Sequence, residues 1–377
     1  MATYKIAVIP GDGIGPEVTT EGLKVLTTVS QKLGFNVTTT FFPFGATYYL
    51  SHNQVLPPDA FQKLSDNQAL LLGAVGDPKV PPGILEQDLL LNLRFYFDQF
   101  LNLRPAKSYE GAFIPVKLLP DRKIDLVVVR ENTEDLYMNF GGMATPPLHH
   151  HHDINRQLYQ GDLTIDIQLT PNVPVSYTVG LLSLPGVRRV ARRAFQIAKS
   201  RNEKVLYAAT KANALPVYYT FWDKIITSIS EEFPDIKLVL INVDNLAYQL
   251  VRSPENFGVI LCPNLFGDII SDLTAGITGG LGLAASANIG EKLSMFEPVH
   301  GSAPTIAKTG KANPLAAILS VALLLDFLGE KEGSLLIDRA VTEYLKRSPL
   351  VELPVELGGQ SLTPVVGDLV SQVLKEL

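Results

Sequence analysis

The chain has 377 residues, 46% hydrophobic and 19% charged, with a formal net charge of −6 and one cysteine, Cys262. Such a composition belongs to a well-cored globular protein of two or three domains, or one large α/β unit with two lobes. The acidic balance offers nucleic acid no electrostatic footing, and a lone cysteine excludes an intrachain disulfide and a four-cysteine zinc site.

The first predicted element is the strand "YKIAVIP", preceded by too little apolar sequence for a signal-peptide core. The stretch "IPGDGIGPEV", residues 9–18, follows it. Glycines 11, 13 and 15 suggest a dinucleotide-binding turn, but that fingerprint is G-x-G-x-x-G, and Pro16 stands where its third glycine belongs. The acidic residue expected at the end of a second strand is also missing, since the chain there reads "GFNVTTTFFPFG". These glycines therefore predict a strand-to-helix turn, with Pro16 in the first turn of the helix "PEVTTEGLKVLTTVSQKLG".

Three arginines come next: Arg94 in "LLLNLR", Arg104 in "FLNLRP" and Arg130 at the end of the apolar strand "IDLVVVR". A single arginine in such surroundings is ordinarily a structural ion-pair partner. Three of them within residues 94–130 fit a site that takes a di- or tricarboxylate through bidentate forks. Tyr137 is expected in the loop after the last strand. From 141 to 181 the α/β alternation breaks. Leu163, Ile165, Ile167 and Leu169 alternate with polar residues, predicting a β arm with one covered face. Within it, His149–His152 are four consecutive imidazoles; in regular structure they point apart, which argues against a metal site.

An amphipathic helix is predicted from about Val187 to Lys199, with Val187, Val190, Ala191, Ala194, Phe195 and Ala198 on one face. Arg188, Arg189, Arg192 and Arg193 form its solvated back. The strands "KVLYAAT" and "IKLVLINV" place Lys211 and Asp244 at their carboxyl ends, where α/β sheets bind ligands. After the strand "VILC", Asp268 and Asp272 fall at i and i+4 on one helix face. The helix dipole would account for an acid at Asp268, less well for one a turn further in. Two hard oxygen ligands without histidine or cysteine suit Mg²⁺ or Mn²⁺. The longest apolar run, "PLAAILSVALLLDFLG" from Pro314, is interrupted by Asp326 and reads as a buried helix rather than a membrane span.

Taken together, "IPGDGIGPEV", "NLRPAK", "VVVREN", "NLFGDIISD", "GGLGLAASANIG" and "FEPVHGSAPTIAKTGKANP" resemble the metal-dependent β-decarboxylating dehydrogenases. That family contains the 3-isopropylmalate, isocitrate, homoisocitrate, tartrate and D-malate enzymes. The resemblance runs in family order from residue 5 to about 330. It implies a two-lobed α/β fold that is not of the Rossmann type, with a first domain at 1–103 and 280–377. The second domain, 104–279, would hold the arm and the interface of a homodimer whose active sites are shared between subunits. Arg94, Arg104 and Arg130 match the family's substrate arginines, Asp268 and Asp272 its metal carboxylates. Asp244 matches a third carboxylate and Lys211 the catalytic lysine, both given across the dimer; Tyr137 matches the catalytic tyrosine. The coenzyme side is assigned to Asn213, to His300, Gly301, Ser302, Ala303, Pro304, Thr305, Ile306 and Asn313, and to Glu356. Thr305-Ile306 stands in place of the Lys-Tyr pair of an NADP-using branch, and with Glu356 this favours NAD.

The residues before Arg94 bear on the group at C3 of the substrate. The isocitrate branch has Ser and Asn there; this chain has Asp88 and Leu90, with Leu89 and Leu91 beside them as an apolar wall or as core. A 3-substituted malate is therefore expected, isopropyl first. Benzyl, in a pathway lengthening an aromatic amino acid, remains an alternative, as do D-malate and tartrate, which "RENTEDLY" and "AATK" resemble. A non-catalytic regulatory subunit is disfavoured because every chemical position is filled. Neither nucleic acid nor membrane is expected as a partner, and a reducing, cytoplasmic setting is.

Overall fold

The computed structural model describes residues 2–118 and 120–377. The chain alternates strands and helices: β1 (Thr3–Gly11), α1 (Gly15–Leu33), β2 (Asn36–Phe41), α2 (Ala46–His52), α3 (Ala60–Ser65), β3 (Ala69–Ala74), α4 (Asn92–Tyr96), β4 (Leu101–Lys107) and β5 (Asp125–Glu131). Four arm strands follow, β6 (Asp135–Ala144), β7 (Leu148–Asn155), β8 (Gln160–Ile167) and β9 (Val175–Leu181). Regular α/β structure then resumes with α5 (Leu184–Ser200), β10 (Val205–Thr210), α6 (Pro216–Ser230), β11 (Lys237–Asn242), α7 (Val243–Arg252), β12 (Val259–Cys262) and α8 (Asn264–Ile277). The chain closes with β13 (Ala285–Ile289), β14 (Ser294–Pro298), α9 (Leu315–Phe327), α10 (Lys331–Arg347) and α11 (Thr363–Glu376).

Two compact units share this chain. The first comprises residues 1–128, 247–257 and 270–377. Its strands run in the order β4-β13-β14-β3-β1-β2. β14, β3, β1 and β2 are parallel neighbours, whereas β13 is antiparallel to both β14 and β4. Both faces of this sheet are covered, which is why β1 and β3 read as unbroken apolar runs. Ile6 and Val8 of β1 meet α1, α9, α10 and α11 on one side. Ala7 and Ile9 meet Phe44, Leu64, Leu89 and Leu93 on the other. α9 is buried nearly all round, from Leu315 through Ala322 and again at Leu324 and Leu325. Among the described residues no helix is long and apolar enough to cross a membrane.

The second unit comprises residues 129–246 and 258–269. Here β11, β10 and β12 lie parallel in that order. α5 buries Val187, Val190, Ala191, Ala194, Phe195 and Ala198, as its periodicity predicts. On its back, Arg192 forks onto Glu232 at 2.9 and 2.5 Å. The arm is two antiparallel ribbons, β6 with β9 and β7 with β8. Leu163, Ile165 and Ile167 are half-buried on β8 while their neighbours are exposed, so the expected alternation holds within the strand. Leu169, however, lies past its end and is exposed, because the pairing with β7 stops at Ile167.

Candidate active site

In the second unit the site is built around Arg130, which is 1% exposed near the end of β5. A buried guanidinium must find partners. Its Nε donates to Asn264 Oδ1 at 2.9 Å, and its Nη1 to the carboxylate of Asp268. Tyr137 completes the cluster: its hydroxyl donates to Asp268 Oδ2 at 2.6 Å, and its ring lies 4.9 Å from the guanidinium carbon. Tyr137 sits on strand β6, not in the expected loop, because only three residues separate the end of β5 from the start of β6. Gly267 lets α8 come this close, since a Cβ there would stand 2.5 Å from Arg130 Cγ.

The turn between β5 and β6 is held by its own acids. Glu131 accepts from Thr133 N at 2.8 Å, Thr133 Oγ1 at 3.0 Å and Glu134 N at 2.9 Å. Burial, with a smaller push from Glu134, raises its carboxyl to about 8. Glu134 accepts from Ser183 N at 2.8 Å and Ser183 Oγ at 2.5 Å, and burial raises it as well. Asp135 accepts from Leu265 N at 2.9 Å and Tyr218 O–H at 2.8 Å, tying the turn to the first residues of α8. Elsewhere in this unit Lys211, just past β10, reaches Asp244 in the first turn of α7 at 2.5 Å. That contact holds the Asp244 carboxyl below its usual range.

In the first unit Arg104 on β4 donates to Ser271 Oγ at 2.6 Å and to Asp272 Oδ1 at 3.4 Å. Arg94 on α4 faces Glu297 Oε1 at 3.5 Å. The helix dipole does not explain Asp268, because α8 begins at Asn264 and has no acid in its first turn. Before Arg94 the chain makes a π-helical turn, Glu86–Leu91, a form that is rare and concentrated at functional positions. Of the three leucines there, Leu89 is core, while Leu90 and Leu91 are half-buried. Near the other end of the unit Glu356 accepts from Gly282 N at 3.1 Å and Asn313 Nδ2 at 3.0 Å. His300 shares Nδ1 with Gly301 O at 3.0 Å, leaving a buried Nε2 with no hydrogen-bond partner among the described residues. Burial lowers the pKa of this histidine, disfavouring the charged ring. Among the described residues no three His, Cys, Asp or Glu side chains gather as a metal-ligating group.

The sequence profile of the isocitrate/isopropylmalate dehydrogenases matches residues 5–365. The chain belongs to that family. It is therefore a dehydrogenase, an oxidoreductase acting on a secondary alcohol. A 3-isopropylmalate dehydrogenase of Thermobifida fusca is 41% identical over 380 residues, 99% of this chain and 98% of the relative. One of Nocardia farcinica is 42% identical over 357 residues, 94% of this chain and 98% of the relative. Among solved structures, an isocitrate dehydrogenase of Methylococcus capsulatus superposes with a TM-score of 0.83 at 31% identity, each chain covered over 99% of its length.

Within this dehydrogenase several groups that support the predicted residues were not singled out from sequence. Asn264, Ser271 and Glu297 hold Arg130, Arg104 and Arg94. The Asn264 signal was available, as the first residue of α8 just beyond a buried strand, but its partner lies 134 residues away.

Proposed function

We propose that this dehydrogenase oxidises and decarboxylates 3-isopropylmalate, with NAD as hydride acceptor and Mg²⁺ or Mn²⁺ as cofactor. The observation that carries the reading is full-length identity of 41–42% with proteins named 3-isopropylmalate dehydrogenase. Leu90, at the position where the isocitrate branch has Asn, supports an apolar group at C3. The carboxylates of Asp268, Asp272 and a partner subunit's Asp244 are hard oxygen donors that fit either metal ion. When bound, the cation supplies charge stabilisation for the C2 oxygen and for the electrons released with CO₂.

The chain's own groups divide the remaining work. Arg94, Arg104 and Arg130 bind the two carboxylates and orient C2. Lys211, positioned by Asp244 and acting in the partner's site of a homodimer, takes the C2 hydroxyl proton directly or through water. NAD, held by the coenzyme residues, would supply the acceptor for the C2 hydride; with CO₂ lost from C3, the Tyr137 hydroxyl would return a proton to C3. His300 Nε2 is an open acceptor for the coenzyme, whose loop runs from 300 to 313; Asn213 is the further coenzyme residue of this reading. Thr305 and Ile306 offer no cation to a 2′-phosphate, and Glu356 beside Asn313 would repel one, which favours NAD. The functional domains of this reading are 1–103 with 280–377, and 104–279. The reading is tested by NADH formation with Mg²⁺ or Mn²⁺ across 3-isopropylmalate, 3-benzylmalate, D-malate and isocitrate. The expected order by kcat/KM puts 3-isopropylmalate first; a preference for any other acid overturns the substrate.

A further inference from the structure

The glycine-rich turn that fails as a dinucleotide fingerprint is tied to another part of the first unit. Gly13 has φ +57°, and a Cβ there would stand 2.0 Å from the Ser302 carbonyl oxygen. The next amide, Ile14 N, donates to that same oxygen at 2.9 Å. One turn further on, the Glu17 carboxylate accepts from two amides of the same loop, Lys308 N at 2.6 Å and Gly310 N at 3.1 Å. An acid in the first turn of α1 is favoured by the helix dipole alone. The dipole does not aim both oxygens at one loop.

That loop needs holding. Ala303 and Lys308 adopt φ of 40° and 63°, a region unfavourable for residues with a Cβ. Its inner side packs Ala303 and Ala307 against Ile14, Val18, Ala312 and Ala317. Its far end is pinned by Thr363, whose N donates to Gly310 O and whose Oγ1 donates to Ala312 O, both at 2.6 Å. Between these anchors Pro304, Thr305 and Ile306 are exposed.

We infer that the Gly11–Glu17 turn is a latch for the 302–312 loop, and that Glu17 is a positioning residue for NAD, acting through the amides of Lys308 and Gly310. This rests on the reading that residues 300–313 hold the coenzyme. Losing the carboxylate frees both amides and releases the strained backbone, so the bound shape of the loop must be regained at the expense of coenzyme affinity.

The test compares wild type, Glu17→Gln and Glu17→Ala. NADH affinity is measured by fluorescence titration without substrate, amide exchange of the 300–313 segment with and without NADH, and KM for 3-isopropylmalate. Glu17→Ala should weaken NADH binding about tenfold, and Glu17→Gln less, since its amide oxygen keeps one acceptor. Loop exchange should quicken in the free variants while substrate KM stays within about twofold of wild type. Wild-type NADH affinity in a folded Glu17→Ala with a loosened loop would overturn the inference. If Ala does not fold, unchanged affinity in Glu17→Gln with the Lys308 or Gly310 amide loosened does the same. Failure of NADH to protect the loop in wild type would instead overturn the coenzyme assignment, and the role of Glu17 with it.

Discussion

Arg130 shows what one residue costs and how the chain meets that cost. Leaving a guanidinium buried and unpaired costs several kcal/mol, so Asn264 and Asp268 are structural requirements of this position. Glu131, its chain neighbour, carries the opposite problem. Its folded carboxyl titrates near 8 against an ordinary 4.5, so folding takes up a proton between those values. The associated stability is full below about pH 4.5 and is lost as pH rises through 8. Glu131→Gln removes the ionisation; its melting temperature should fall less between pH 5 and 8 than that of wild type, as differential scanning fluorimetry would record. An equal slope in both proteins would place the titration elsewhere. Lys211→Ala tests the proposed base: initial rates should drop by about 10³-fold or more, with NADH affinity retained. Loss of both together would make Lys211 a structural member.

At the scale of elements, α5 and the arm were legible in residue order because amphipathic periods of 3.6 and 2 are local properties. The same is true of the four histidines. They alternate on β7: His150 and His152 face Tyr177 O–H at 2.5 and 3.3 Å, while His149 turns out to Asp166 at 2.6 Å. The π-turn of residues 86–91 was not legible, because an i to i+5 ladder leaves no simple repeat in side-chain chemistry. In the proposed reading it bears on selectivity. It leaves Leu90 and Leu91 half-buried beside buried Leu89 and Arg94. Asp88→Ser with Leu90→Asn should shift the kcat/KM ratio of 3-isopropylmalate to isocitrate towards isocitrate by about tenfold or more. An unchanged ratio would mean the turn does not face C3.

For the whole molecule, the sheet of the first unit matters more than its composition. β13 and β14 arrive some 180 residues after β4, yet β13 pairs with β4 and β14 with β3. α9 lies in the cluster that covers this sheet, beside residues of α1 and α10. Leu324→Ala, at a fully buried position of α9, should cost about 2–5 kcal/mol in a denaturant titration, with the NADH affinity of the folded enzyme preserved. A smaller loss would mean the surrounding helices collapse into the space.

Local order in the chain determined much of this: the α/β class, the strand-to-helix turn at Gly11–Glu17, the arm, the buried α9, and Asp268 and Asp272 one turn apart on one helix. Each follows from short-range sterics and from the period of apolar residues, which a sequence carries within ten or twenty positions. Tertiary structure alone decided that Tyr137 and Arg130 converge on Asp268, that Glu131 is buried deeply enough to raise its carboxyl, and that Glu17 reaches a loop nearly 300 residues away. Those pairings depend on long-range burial, where desolvation makes an unpaired polar group costly and so selects its partner, and no local pattern encodes which partner that will be.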